Sequence, residues 1–431
     1  MSARGVRGIP MLVRALCAAA ALMATGCGGD GDRAPAPTPA PVPTEVAPAP
    51  APPAEPGLAL GITEPNPAFV WSAAERPTIP EPFGRWRDAL TAIGPDFYRL
   101  VLEWGRLQPD PGTPADLDQP QTGCLRATPP CLEWAGVREQ LAALASRQRE
   151  GGWETLVVIT GTPTWAAADP HGCEEGGTQE RSRAPRAGAL PAYRQLVADV
   201  LAAAERVGAT LRWWSPWNEP NHPFFLSPQH DACDDLDSSP AVTAYARIAR
   251  ALRTALEAAP GEQEWVLGEL AAYTGSTPYR TDLGEFIRAL PSDLVCSAPV
   301  AGQHAYMGGP DPVDALWRAV RSHGCPDAPV VWITETGAGF PPAGFSAARR
   351  AATRLSGCRR LAARLERWHR DPRVRAAMQY TLREDDVFRT GLVSTSLAAA
   401  FPTLALWQAW GARPAPTDPP PAAARCASPR D

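Results

Sequence analysis

From residue 58 onward the sequence predicts an α/β chain folded as a (β/α)8 TIM barrel. Three observations carry this expectation. Eight short apolar runs alternate with eight longer amphipathic ones. Several runs are almost unbroken, such as Leu156-Val157-Val158-Ile159 and Val330-Val331-Trp332-Ile333, the pattern of parallel strands covered on both faces. No glycine-rich phosphate loop follows the first run, where Gly61-Ile62-Thr63 stands. The alternation therefore points to a closed barrel over an open nucleotide-binding sheet.

The strands are expected at Leu58–Ile62, Phe97–Leu102, Thr155–Thr160, Leu211–Ser215, Trp265–Gly268, Gly302–Tyr306, Val330–Thr334 and Ala377–Thr381. The helices are expected at Phe83–Ile93, Leu132–Arg149, Pro191–Val207, Ala241–Ala259, Thr281–Leu290, Pro312–His323, Ala347–Trp368 and Pro402–Trp410. Many of these are rich in Ala, Leu and Arg, with apolar residues three and four apart. That spacing sets one helix face on a core. No internal repeat interrupts the order. With 431 residues and 45% hydrophobic content, the chain can bury a large core. The long segments Pro109–Pro130 and His171–Leu190 fall after the second and third strands. They read as top-face loops around an open cleft.

The residues before the barrel read differently. Arg4, Arg7 and Arg14 make a positive start, and Ala15–Met23 is an apolar run too short to span a bilayer. It ends at Ala24-Thr25-Gly26-Cys27, which resembles a bacterial lipobox. The resemblance implies that residues 1–27 are an export signal and that lipidated Cys27 anchors the mature chain to a membrane. Residues 28–57 are almost all Pro, Ala, Gly and a few charges. Such a stretch cannot bury a core and reads as a disordered, extended tether reaching roughly 80–90 Å. Residues 58–431 are then one barrel domain on an exported, cell-envelope or extracellular protein.

The net charge of −5 comes from 41 basic and 46 acidic residues, a balance that suggests neither nucleic acid nor an anionic membrane surface as partner. The 15 tryptophans suit stacking on sugar faces, although core filling accounts for most of them. Setting aside Cys17 and Cys27 leaves Cys124, Cys131, Cys173, Cys233, Cys296, Cys325, Cys358 and Cys426. An even number in an exported chain suggests disulfides. Neighbouring positions in a barrel pair Cys124 with Cys131, Cys173 with Cys233, Cys296 with Cys325, and Cys358 with Cys426. No Cys-x-x-Cys, His-x-His or His-Glu-x-x-His spacing occurs, so neither metal nor cofactor is expected. No Gly-x-Ser-x-Gly elbow offers a serine nucleophile.

Active sites of such barrels sit at the C-terminal ends of the strands. Past the fourth run stands Trp217-Asn218-Glu219-Pro220-Asn221, and past the seventh stands Thr334-Glu335-Thr336-Gly337. Two carboxylates at one mouth are what glycoside cleavage needs: one protonates the leaving oxygen, the other attacks the anomeric carbon or activates water. The pattern resembles clan A of the glycoside hydrolases, over residues 58–411. The resemblance implies that Glu219, preceded by Asn218, is the acid/base and that Glu335 is the nucleophile. It also implies Arg99 on the second strand as a site residue. His304-Ala305-Tyr306 resembles the clan's His-x-Tyr, whose tyrosine hydrogen-bonds the nucleophile. Local motifs are closest to families 39 and 5: Trp104–Pro109 and Thr162-Pro163-Thr164-Trp165-Ala166 resemble family 39 segments. Many clan members carry a tryptophan on the eighth strand, where this chain has Met378-Gln379-Tyr380-Thr381.

The resemblance thus implies a retaining, double-displacement glycosidase acting on a poly- or oligosaccharide, with a raised pKa on Glu219. Arg99, Asn218, His304, Tyr306 and Tyr380 are candidate binding residues, and Trp165 and Trp217 candidate sugar platforms. Each has a plainer reading: Arg99 as a core ion pair, His304 as a satisfied core histidine, the tryptophans as packing. Glu269, after the fifth run, is a rival carboxylate expected to bind or to support. Glu103 can pair with an arginine. Asp385 and Asp386 lie in a loop beyond the eighth strand. The alternative function is a non-catalytic carbohydrate-binding lipoprotein on the same barrel.

Overall fold

The apolar runs do what near-continuous β-branched stretches do when covered on both faces: each pairs in parallel with the next, and the last closes on the first. In the computed structural model, which describes residues 57–421 and Cys426 apart from 340, 343, 386 and 387, the strands are β1 Ala59–Thr63, β2 Phe97–Glu103, β3 Glu154–Thr160, β4 Trp213–Ser215, β5 Glu264–Leu270, β6 Val300–His304, β7 Val330–Thr336 and β8 Val374–Tyr380. Closure sets Leu60 of β1 opposite Ala377 of β8, and Thr63 opposite Tyr380. The export segment, Cys27, all of the tether except Gly57, and Asp386 lie outside the described residues.

Alternation along each strand divides the core in two. Inward-facing Phe97, Leu156, Val266, Val300, Trp332, Ala376 and Met378 plug the lower barrel. The rings of Phe97 and Trp213 lie 4.7 Å and 4.8 Å from that of Trp332. Gly61 is required here, because a Cβ would come within 2.5 Å of the Met378 side chain. Outward-facing Leu60, Ile62, Leu100, Leu102, Val157, Ile159, Leu267, Val331 and Ile333 pack under the helices. Those helices are α1 Phe83–Thr91, α2 Trp104–Leu107, α3 Gly136–Glu150, α4 Leu190–Val207, α5 Pro240–Glu257, α6 Leu283–Ala289, α7 Ser292–Ser297, α8 Val313–Arg321, α9 Ala347–Arg370 and α10 Pro402–Gly411.

Boundaries move where local chemistry demands. The helix expected from Leu132 begins at Gly136, because Gln121 and Trp134 exchange backbone hydrogen bonds in the preceding loop. The helix expected over Thr281–Leu290 ends at Ala289, with Leu290 extended ahead of Pro291. The fourth strand starts at Trp213, two residues after its expected start at Leu211, and ends at Ser215 as expected, where Pro216 has no N–H to continue the ladder. The sixth strand runs from Val300 to His304, two residues earlier at each end than the expected Gly302–Tyr306, so Tyr306 stands two residues past its end.

The four disulfides are Cys124–Cys131, Cys173–Cys233, Cys296–Cys325 and Cys358–Cys426, the pairs expected from neighbouring positions. Disulfides belong to an oxidising compartment, which fits an exported protein. No described helix is long and apolar enough to cross a membrane.

Candidate active site

Above the plug, the inward-facing layer turns polar. Arg99, from the middle of β2, is fully buried and is its hub. Its Nε and Nη2 donate to the two carboxylate oxygens of Glu269 at 3.0 Å and 2.8 Å, a bidentate pair sealed from solvent. Nη2 also donates to Asn218 Oδ1 at 2.7 Å, which turns the Asn218 amide nitrogen away from the guanidinium. Nη1 lies 2.7 Å from Glu335 Oε1. One planar cation thereby ties β2 to β4, β5 and β7.

Glu335, near the end of β7, receives a second partner: the Tyr306 hydroxyl donates to its Oε2. Both oxygens are therefore held, one by a fixed positive charge and one by a phenol. Burial, followed by the facing Glu335 charge, pushes the Tyr306 hydroxyl well above its ordinary pKa, so it stays a donor.

Glu219 is built differently. Trp217 is completely buried, and its indole N–H donates to Phe225 O at 2.7 Å. The Asn218 N–H donates to Ile159 O at 3.2 Å, and the Glu219 N–H to Glu269 O at 2.9 Å. Between these anchors Glu219 adopts φ +39°, a left-handed conformation rare for a residue with a Cβ and the kind that surrounding structure must enforce. Its carboxylate accepts from His304 Nδ1 at 2.6 Å. The same nitrogen lies 3.4 Å from Glu335 Oε2. The two nearest carboxylate oxygens can be no farther apart than those two lengths end to end.

The raised pKa expected for Glu219 is not found. Burial does push its carboxyl up, but the His304 imidazole, in contact and charged, outweighs burial and holds it below the usual value. His304 is correspondingly raised: burial opposes its charge, but Glu335 and Glu219 overcome burial. The pair holds one proton, and in the ligand-free protein it rests on the imidazole.

Other expected residues divide. Tyr380, at the end of β8, lines a cavity together with Arg99 and packs edge-on against Phe388, which also meets Tyr306. Trp165 is half-buried, its indole donating to Gln108 O at 3.0 Å and its ring edge-on to Trp104. Trp217 offers no face to a ligand and is a correction: its polar N–H has a buried acceptor and its ring belongs to the core. Glu103 faces Arg181 at 3.6 Å, and Asp385 pairs with Arg126 at 2.9 Å.

Sequence reasoning undervalued two groups. Glu269 is the partner that fixes Arg99, and Gly268 ahead of it has φ +94°, with Tyr245 clamping its backbone at 2.7 Å. Glu64, just beyond β1, is buried, and burial pushes its carboxyl up to about 7 against the opposing backbone donors Asn66 and Arg383. A glycine before a strand-end glutamate was the available signal for Glu269. Glu64 carried none beyond following a strand.

The sequence matches no protein-family profile and no curated protein. Solved structures share the fold. A glucosidase from Croceicoccus marinus is 13% identical over 83% of this chain and 68% of that one, with a TM-score of 0.50. A family 39 glycoside hydrolase from Bacteroides cellulosilyticus is 15% identical over 82% of this chain and 63% of that one (TM-score 0.44). The GH53 catalytic domain of Ignisphaera aggregans is 14% identical over 84% and 98% (TM-score 0.48). The likeness is one of the barrel.

Proposed function

We propose that the protein is a retaining glycosidase of the clan A kind, acting on β-linked oligo- or polysaccharides with Glu335 as nucleophile and Glu219 as acid/base. The observation that carries this reading is the unequal environment of two carboxylates that share one imidazole nitrogen. Glu335 is held by a permanent cation and a phenol, which suits a group that attacks as an anion. Glu219 is held by a titratable imidazole, which suits a group that must both give and take a proton.

In the first step a Glu335 oxygen bonds to the anomeric carbon as the glycosidic C–O bond breaks, and the departing oxygen takes the proton from Glu219. In the second, water attacks the anomeric carbon, Glu219 takes its proton, and the bond to Glu335 breaks. The proton shared with His304 moves onto Glu219 as substrate excludes water from the pair. Asn218, its oxygen fixed by Arg99, presents its amide nitrogen to a sugar hydroxyl. The two-step path predicts retention, for which carboxyl groups about 5–5.5 Å apart are typical, against about 6.5–9.5 Å for inversion.

The test is hydrolysis of aryl β-glycosides. Glu335→Gln loses activity on every leaving group. Glu219→Gln loses about 10²–10⁴-fold on poor leaving groups and far less on activated ones, because those need no proton. Equal losses across leaving groups would overturn the assignment of Glu219, and an inverted first product, seen by NMR, would overturn the two-step path. Cys27 is read as the lipid attachment site and residues 28–57 as the tether. Loss of detergent-phase partitioning in Cys27→Ser tests that reading.

A further inference from the structure

We infer that the cavity beside Arg99 and Tyr380 is a blind pocket for the glycone, walled by a disulfide-closed strap, so that the protein removes short units from the non-reducing ends of β-linked glycans. This rests on the glycosidase reading above and adds to it the direction and mode of attack.

Direction follows from the ring of strands. The leaving group must sit on the side of the acid, Glu219, at the end of β4. In a closed ring of eight strands in sequential order, β8 lies opposite β4. The cavity, about 310 Å³, runs from Arg99 and Tyr380 toward the ends of β1 and β2; neither Glu219 nor Glu335 lines it, and Arg99, whose Nη1 lies 2.7 Å from Glu335 Oε1, joins it to the Glu335 side of the site. The sugar whose anomeric carbon meets Glu335 therefore points into this cavity, and the rest of the substrate leaves on the other side.

The far wall makes the pocket blind. After β2 the chain forms a strap in which Gln121 and Trp134 exchange backbone hydrogen bonds of 2.8 Å and 3.0 Å. Cys124–Cys131 closes it. Gly123, Cys124 and Leu125 face the cavity. Two attachments fasten this strap to the loop beyond β8. The Arg383 guanidinium donates to Pro130 O at 3.0 Å and Thr128 O at 3.2 Å, and Arg126 pairs with Asp385 at 2.9 Å. The strap is thus fastened from the β2 side to the β8 side, past the end of β1, and the cleft expected to be open is walled there. The cavity sits at the small end of the ~300–1,000 Å³ range of ligand pockets, room for a terminal unit against the strap. Glu64, Asn66 and Gln140 supply polar lining for hydroxyls, and Trp134 an apolar face.

The experiment follows early products from a ladder of β-linked gluco-, xylo- and galacto-oligosaccharides labelled at the reducing end. The parent is expected to shorten the labelled chains in equal steps from the far end. Arg126→Ala, and separately Cys124→Ser with Cys131→Ser, loosen the wall and raise the ratio of internal to terminal cleavage by at least about tenfold. Internal cleavage by the parent at the earliest times overturns the blind pocket and leaves the two glutamates untouched. If no ladder is turned over, saturation-transfer NMR with the parent decides. Saturation concentrated on the non-reducing terminal unit keeps the pocket and removes the hydrolase reading, and saturation spread evenly, or none, removes the pocket.

Discussion

Arg99 meets Glu269, Asn218 and Glu335 with one guanidinium. A sealed ion pair is weak grounds for stability as a whole, but removing one partner strands the other. Glu269→Gln should therefore cost about 3–5 kcal/mol in chemical denaturation. It should also lower kcat, because Arg99 loses its alignment to Glu335. The His304–Glu219 pair makes a second prediction, in pH. The active tautomer carries one proton on the pair, and the pair loses that proton with the imidazole's raised pKa. In His304→Asn the basic limb of kcat/KM belongs to a carboxyl alone, so it moves to lower pH. A limb that stays in place would detach His304 from the proton.

Glu64 titrates against stability at this same scale. Burial raises it from 4.5 to about 7, so the folded state holds the proton more tightly than the unfolded chain. That contribution is full below pH 4.5 and disappears as pH rises through about 7. Its size is on the order of 3 kcal/mol. Glu64→Gln should flatten the fall in melting temperature across that window.

Among the elements, the loops after β3 and β4 matter most, because the second one carries Glu219. Cys173–Cys233 joins them across 60 residues, and the Cys173 N–H donates to His230 O at 2.8 Å. Cross-linking of this kind acts mainly by restricting the unfolded chain. Replacing both cysteines by serine should cost about 2–4 kcal/mol in urea denaturation. The loss of kcat should be modest, since Trp217 and the backbone bonds of Asn218 and Glu219 still seat the Glu219 carboxylate. Two of the boundaries that moved did so at Pro291 and at the disulfide strap, where proline sterics or a cross-linked loop overrides periodicity.

At the scale of the whole molecule, a barrel with one greasy plug and one polar layer explains why the site sits at a single end. Phe97, Trp213 and Trp332 fill the lower interior, and the buried Arg99–Glu269 pair lies above them. The walled cavity on the β1–β2 side then gives that end a direction.

The periodicity of the apolar runs by itself determined the barrel, because a strand buried on both faces has few other homes. Strand-end position similarly determined Glu219 and Glu335, since a carboxylate following a run has to emerge at the mouth. Only the tertiary structure decided the partners. Arg99 and Glu269 are far apart in sequence and meet because two strands converge on the barrel interior. Trp217 was legible as an aromatic beside the Asn218-Glu219 motif but not as a buried one, because side-chain direction after a proline depends on packing. The lowered carboxyl of Glu219 was likewise out of reach, since it depends on His304, which arrives from β6 to within 2.6 Å. Sequence order names the residues at the mouth; which charge faces which is set by closure of the ring.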